Sequence, residues 1–117
     1  MIKAYFIMRK DLGMTPAKLA VQVGHGTQQL MRKADYYELL SWEASSDSRK
    51  IVCEISSEER MNNLYNIFKE FVTTCEIWDS GYTEFNGRTK TGICLLYNED
   101  NENKFVEQKL KRLQLYK

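Results

Sequence analysis

Lys18, Gln22, His25 and Gln29 stand in one helix-forming stretch, and at 100° per residue they fall within an arc of about 60° on one side of it. An ammonium, two carboxamides and an imidazole on one face can grip a polar ligand, hold an anion or polarise a water. His25 is the only histidine in the chain, and it sits between Gly24 and Gly26. Each glycine costs a helix interior roughly 1 kcal/mol relative to alanine. The pair therefore suggests that another backbone or a ligand must come close beside the ring. The plainer explanation is that every helix needs a solvated face. Leu19, Val23, Thr27, Leu30, Met31 and Ala34 form the predicted inward stripe of the same helix.

The elements that must position this face alternate along the chain. "IKAYFIM" (Ile2 to Met8) is a short apolar run typical of a strand buried on both faces. Thr15 and Pro16 open the helix, which runs to about Lys33. A second helix is expected over "DYYELLSWEA" with Asp35 as its cap, then a polar loop, then a strand in "KIVCEI". Ser56 with Glu59 makes a capping-box pattern, and Met61, Leu64, Tyr65, Phe68, Phe71 and Val72 repeat at helical spacing after it. "CEIWD" and "TGICLLY" read as the third and fourth strands, and Phe105, Val106, Leu110 and Leu113 mark a closing amphipathic helix. The predicted order is β-α-α-β-α-β-β-α, an α/β protein.

Strands joined through helices are normally parallel with right-handed crossovers. The first three strands should then finish at one edge of the sheet, bringing Arg9, Ser56 and Asp79 to a common rim. If the fourth runs the other way, the connection over residues 80–90 lies on that rim with the N-terminus of the first helix. Ligands of open α/β sheets usually bind there.

With 117 residues, 43% of them hydrophobic, the chain is expected to form one domain over residues 1–117. No apolar run approaches a membrane span, and "MIKAYFIMRKDLG" lacks the features of a signal peptide, so a cytoplasmic protein is expected. Cys53, Cys75 and Cys94 are odd in number and far apart in apolar runs, which predicts buried thiols. One histidine and scattered carboxylates lack the spacing of a metal site. The net charge of +1 conceals basic stretches over residues 1–33 and 104–117 and an acidic middle. That segregation fits a polyanionic partner such as RNA, and also fits ordinary solvated helix faces.

Met14, Lys18, Ala20, Gln22 and His25 resemble the "M-x-x-G-K-x-A-A-Q-x-x-H" helix of type-2 peptidyl-tRNA hydrolases, and Asp79-Ser80-Gly81-Tyr82-Thr83-Glu84 is similar to their "D-A-G-x-T-Q/E" turn. "NGRTKTGI" resembles the family's "G-S-x-T-x-x-G-I" stretch, and "LQLYK" its "L-K-L-Y" ending. The resemblance covers nearly the whole chain. It implies a three-layer α/β/α sandwich with a mixed four-stranded sheet, and an enzyme that hydrolyses the ester joining a peptide to its tRNA. It implies no cofactor, and it is compatible with a homodimer.

Carried over position by position, the resemblance places an active-site lysine at Lys18, an aspartate at Asp79, and two threonines at Thr83 and Thr89. Gln22 and His25 fall on motif positions of the same helix, beside the site. Ala17 stands where the family usually has glycine, Gly26 where it has alanine, and Leu95-Leu96-Tyr97 replaces a Gly-Pro-type strand ending. The connection between Thr83 and Thr89 is shorter than usual. Within this scheme Asp79 could orient or deprotonate a water, and Lys18 could stabilise the oxyanion or tune Asp79. The threonines suit positioning better than nucleophilic attack, since no base serves either hydroxyl. Arg9, Lys10, Arg88 and Lys90 on or near the rim are the expected phosphate contacts. A different esterase acting on aminoacyl-tRNA or another acylated substrate, and a catalytically silent RNA- or protein-binding module, are the alternatives.

Overall fold

A computed structural model describes residues 1–82, 85–101 and 103–117. The elements are β1 (Ile2–Arg9), α1 (Pro16–Lys33), α2 (Tyr36–Ser46), β2 (Lys50–Ile55), α3 (Glu58–Phe68), β3 (Thr74–Asp79), β4 (Thr89–Asn98), a 3-10 turn (Glu99–Asn101), α4 (Lys104–Lys111) and β5 (Gln114–Leu115). The sheet order is β3-β4-β1-β2-β5. β1 pairs with β2 in parallel and with β4 antiparallel, and β4 is also antiparallel to β3. β1, β2 and β3 thus end on one rim, as expected. The expected four-stranded sheet has a fifth, because the closing "QL" pairs Cys53 with Leu115 and Glu54 with Gln114.

The strands alternate between two cores. Ala4, Phe6, Met8, Ile77, Cys94 and Leu96 face one layer with Leu30 of α1 and Trp42 of α2. Ile7, Cys53, Ile93 and Leu95 face the other with Met61 and Phe68 of α3 and Val106 and Leu110 of α4. This is the three-layer α/β/α arrangement. Cys53, Cys75 and Cys94 are buried thiols.

Caps set the helix starts. Thr15, Asp35, Ser57 and Asn103 each accept a hydrogen bond from the backbone N–H three residues on. The cap of α3 is Ser57, one residue beyond the Ser56 expected from the box pattern. Its helix stops at Phe68, so Phe71 and Val72 lie past its end and Phe71 is exposed.

α1 differs most from expectation. Its buried residues are Lys18, Gln22, Gly26 and Leu30, with Leu19 and Val23 half-buried beside them, while Met31 is 59% exposed. The inward face is therefore polar at its start and apolar at its end. Gly26 explains one of the two glycines: a Cβ there would lie 2.7 Å from Ile77 Cδ1 and 3.0 Å from Phe6 Cε1, so the helix backbone rests directly on the sheet. A Cβ on Gly24 would meet open space.

Candidate active site

Asp79 is the last residue of β3, and its side chain lies under the first turns of α1, only 5% exposed. Thr15 caps that helix, receiving the Lys18 N–H at 3.1 Å, and so fixes the turn from which the Lys18 side chain runs inward. Lys18 Nζ lies 2.6 Å from Asp79 Oδ1. One turn further along the same face, Gln22 Nε2 donates to the same oxygen at 2.9 Å. The second oxygen, Oδ2, accepts the Gly81 N–H at 2.8 Å. That last bond folds the chain back immediately after the strand, an aspartate binding the backbone two residues on. Gly81 adopts φ +85°, and a Cβ on it would run into the backbone of Gly87, so this turn needs glycine.

Burial works against the charge on Asp79 and by itself would raise its pKa. The Lys18 ammonium, the Gly81 N–H and the Gln22 amide outweigh it, and the carboxyl is held below its ordinary range. Phe85 lies over the ammonium, its ring centre 5.5 Å from Nζ.

Thr91 completes the cluster. Its hydroxyl donates to Gln22 Oε1 at 2.7 Å, leaving the Gln22 amide N–H₂ to face Asp79. Strict alternation from Ile93, which faces the α3 layer, would turn Thr91 to that layer too. A bulge intervenes: Ile77 pairs with Gly92 but Trp78 pairs with Lys90, so Thr91 is the extra residue and faces α1. The sequence did not single out Thr91. A glycine directly after it in a strand pattern is the available signal of a bulge.

The residues expected at the site are thus brought together only in part. Lys18, Gln22 and Asp79 form one buried group. Thr89 pairs with Asp79 across the β3–β4 ladder, and its hydroxyl donates to Gly87 O at 3.1 Å. Thr83 lies outside the described residues. His25 is exposed and lines a cleft at the β3 edge rather than the ion pair. Among the described residues no three His, Cys, Asp or Glu side chains are grouped to hold a metal ion.

Three of the four expected phosphate contacts are engaged in the protein itself. Arg9 bonds Asp11 and Glu58, each at 2.8 Å, and the Lys90 carbonyl. Lys10 lies near Glu54, on the Tyr116 ring and against the Lys117 carbonyl. Lys90 bonds Glu76 at 2.7 Å and Asn62 at 2.6 Å. Arg88 instead stacks on Trp78, its guanidinium carbon 4.0 Å from the ring centre, with no carboxylate partner among the described residues.

The Lys18 ammonium and the Asp79 carboxylate thus form a buried ion pair at the rim where the parallel strands end. The family model "Peptidyl-tRNA hydrolase PTH2" matches residues 2–116. A peptidyl-tRNA hydrolase of Methanothermobacter thermautotrophicus is 26% identical over 104 residues, 88% of this chain and 90% of that protein. One of Methanocaldococcus jannaschii is 24% identical over 116 residues, covering 96% and 100% of the two chains. No helix is long and apolar enough to cross a membrane among the described residues. The chain belongs to the peptidyl-tRNA hydrolase PTH2 family.

Proposed function

We propose that the hydrolysis of peptidyl-tRNA by this chain runs through the Lys18–Asp79 pair, with Lys18 as the cation that meets the charge growing on the ester carbonyl oxygen. The observation that carries this assignment is the bonding of Asp79. Three donors hold its carboxylate, and its pKa lies below the ordinary range. A carboxylate held so low takes a proton from water reluctantly. Its role is to fix the ammonium and to accept a hydrogen bond from the attacking water on a remaining lone pair. The water adds to the carbonyl carbon while the oxyanion forms beside Lys18, and one proton of that water passes to the ribose oxygen as the bond to it breaks. The peptide leaves with a free carboxyl group and the tRNA regains its hydroxyl. Gln22 and Thr91 act by positioning, since Thr91 fixes the orientation of the Gln22 amide. Affinity comes from phosphate contacts, for which Arg88 is the best-placed rim cation. The site of action is the cytoplasm, where translation produces the substrate.

The test is incubation of the purified protein with peptidyl-tRNA, aminoacyl-tRNA and a simple ester. Peptidyl-tRNA is expected to be cleaved in preference to both others. Equal cleavage of all three, or preference for aminoacyl-tRNA, would replace the reading with that of a different esterase, and cleavage of none would leave a binding module.

A further inference from the structure

We propose that the cleft along the open edge of β3 binds the base of an unpaired nucleotide at the 3′ end of the tRNA, with Trp78 and the Arg88 guanidinium as its stacking platform. The inference rests on the tRNA reading above and gives the end of that nucleic acid a place in the protein. β3 is the edge strand of the sheet, and among the described residues no further strand covers this side. The cleft beside it encloses about 210 Å³ and is lined by His25, Gln28, Gln29, Trp78, Ser80 and Arg88 among others.

Three features define its occupant. The first is position. The cleft lies at the rim end of β3, where Ser80 directly follows Asp79. Trp78 turns its ring to the α3 side, beside Lys90, and Asp79 turns its carboxylate to α1, so a nucleotide reaches both around the open edge of the strand. The base and the acyl group of a charged tRNA end share one ribose, so a base must rest within a nucleoside's length of the ester under attack. The second is charge. Arg88 lies 4.0 Å over the indole without a carboxylate partner among the described residues, and the Glu76 carboxylate at the cleft is already bonded to Lys90 at 2.7 Å. The third is the mixture of groups. An indole and a planar guanidinium offer faces on which unpaired bases stack, while two carboxamides, an imidazole and a hydroxyl can bond base edges. A peptide strand added to β3 would engage the strand backbone and would gain little from a guanidinium stacked on an indole.

Trp78 also reports on its own occupancy. The other tryptophan, Trp42, is 3% exposed in the core, so nucleotide quenching of intrinsic fluorescence reads Trp78. The experiment titrates the parent protein with a deacylated tRNA and with the same tRNA trimmed of its unpaired 3′ nucleotides. The intact tRNA is expected to quench and the trimmed one not. Trp78→Ala should weaken binding of the intact tRNA at least about fivefold, the lower bound for one base–aromatic stack, with KM for peptidyl-tRNA rising by a similar factor and kcat near the parent value. Trp78→Phe, which keeps a ring and tests the idea should the alanine variant misfold, should retain most of the affinity. Equal quenching by intact and trimmed tRNA overturns the proposal. So does a rise in KM for Trp78→Ala with unchanged binding of deacylated tRNA, which would put the peptide in the cleft. Failure of the parent protein to cleave peptidyl-tRNA refutes the underlying reading instead, and is seen without any Trp78 variant.

Discussion

The buried stripe of α1 has two halves of opposite chemistry. Gly26 and Leu30 press on Phe6, Ile77 and the surrounding core, and Cys94 donates from the sheet to the Gly26 carbonyl at 3.4 Å. Lys18 and Gln22, on the same face and the same sheet, reach Asp79 and Thr91. The apolar half holds the helix down by burial and close contact. The polar half is a poor device for that purpose, since desolvating an ion pair offsets most of its attraction and an apolar replacement of similar shape is often as stable or more so. A helix anchored at one end and charged at the other can carry a preorganised cation at the rim without depending on it for attachment.

Changes in the polar half should strike turnover first. Lys18→Ala and Asp79→Asn are each expected to lower kcat by about two to four orders of magnitude, with tRNA binding little changed. The double variant should be little worse than the poorer single one, because both serve one transition state. A folded Asp79→Asn protein cleaving near the parent rate would erase the contrast between the halves.

Changes in the apolar half should strike stability instead. Gly26→Ala forces Ile77 and Phe6 to give way, and the overpacking, typically about 1–3 kcal/mol, should exceed the roughly 1 kcal/mol of helix propensity gained. Its Tm should fall or stay level. Gly24→Ala, open on all sides, should raise stability by up to about 1 kcal/mol. Equal gains at both positions in thermal denaturation would show that the helix does not rest on the sheet as closely as described.

The smallest effect lies in acid. Asp79 is held below its ordinary value of 3.8, so its contribution to stability is complete above that value and is lost as pH falls through the folded pKa. Asp79→Asn should therefore unfold with a shallower dependence on pH below about 4 than the parent protein. Identical acid limbs would mean that the carboxylate is not held by its three donors.

The contrast between the halves also marks where the sequence was legible. The short strand-forming runs "IKAYFIM" and "KIVCEI", and the helices between the strands, suffice for the parallel set β1, β2, β3 and for the common rim. Thr15 and Asp35 were readable caps because their chemistry is local. The inward face of α1 is not where its hydrophobic residues point: Met31, on the predicted inward stripe, is exposed, and Lys18 and Gln22, on the predicted polar side, are buried. Buried polar groups invert the rule of an apolar interior wherever they find partners, and here the partners lie more than fifty residues away in the chain. Thr91 was missed because a one-residue bulge changes which layer it faces. β5 was missed because two residues carry no periodicity.

The pairing of β1 carries a consequence for how the molecule comes into being. β1 is bonded on one side to β4, with Ile2 opposite Asn98 and Met8 opposite Gly92. The central strand therefore waits for a partner whose approach closes a loop of most of the chain, and non-local pairing of this kind slows folding relative to helical proteins of similar size. During synthesis, β1 and β2 leave the ribosome with one edge of β1 still bare. An enzyme that hydrolyses peptidyl-tRNA thus has its own central strand paired on both sides only after β4, Thr89–Asn98, has been made.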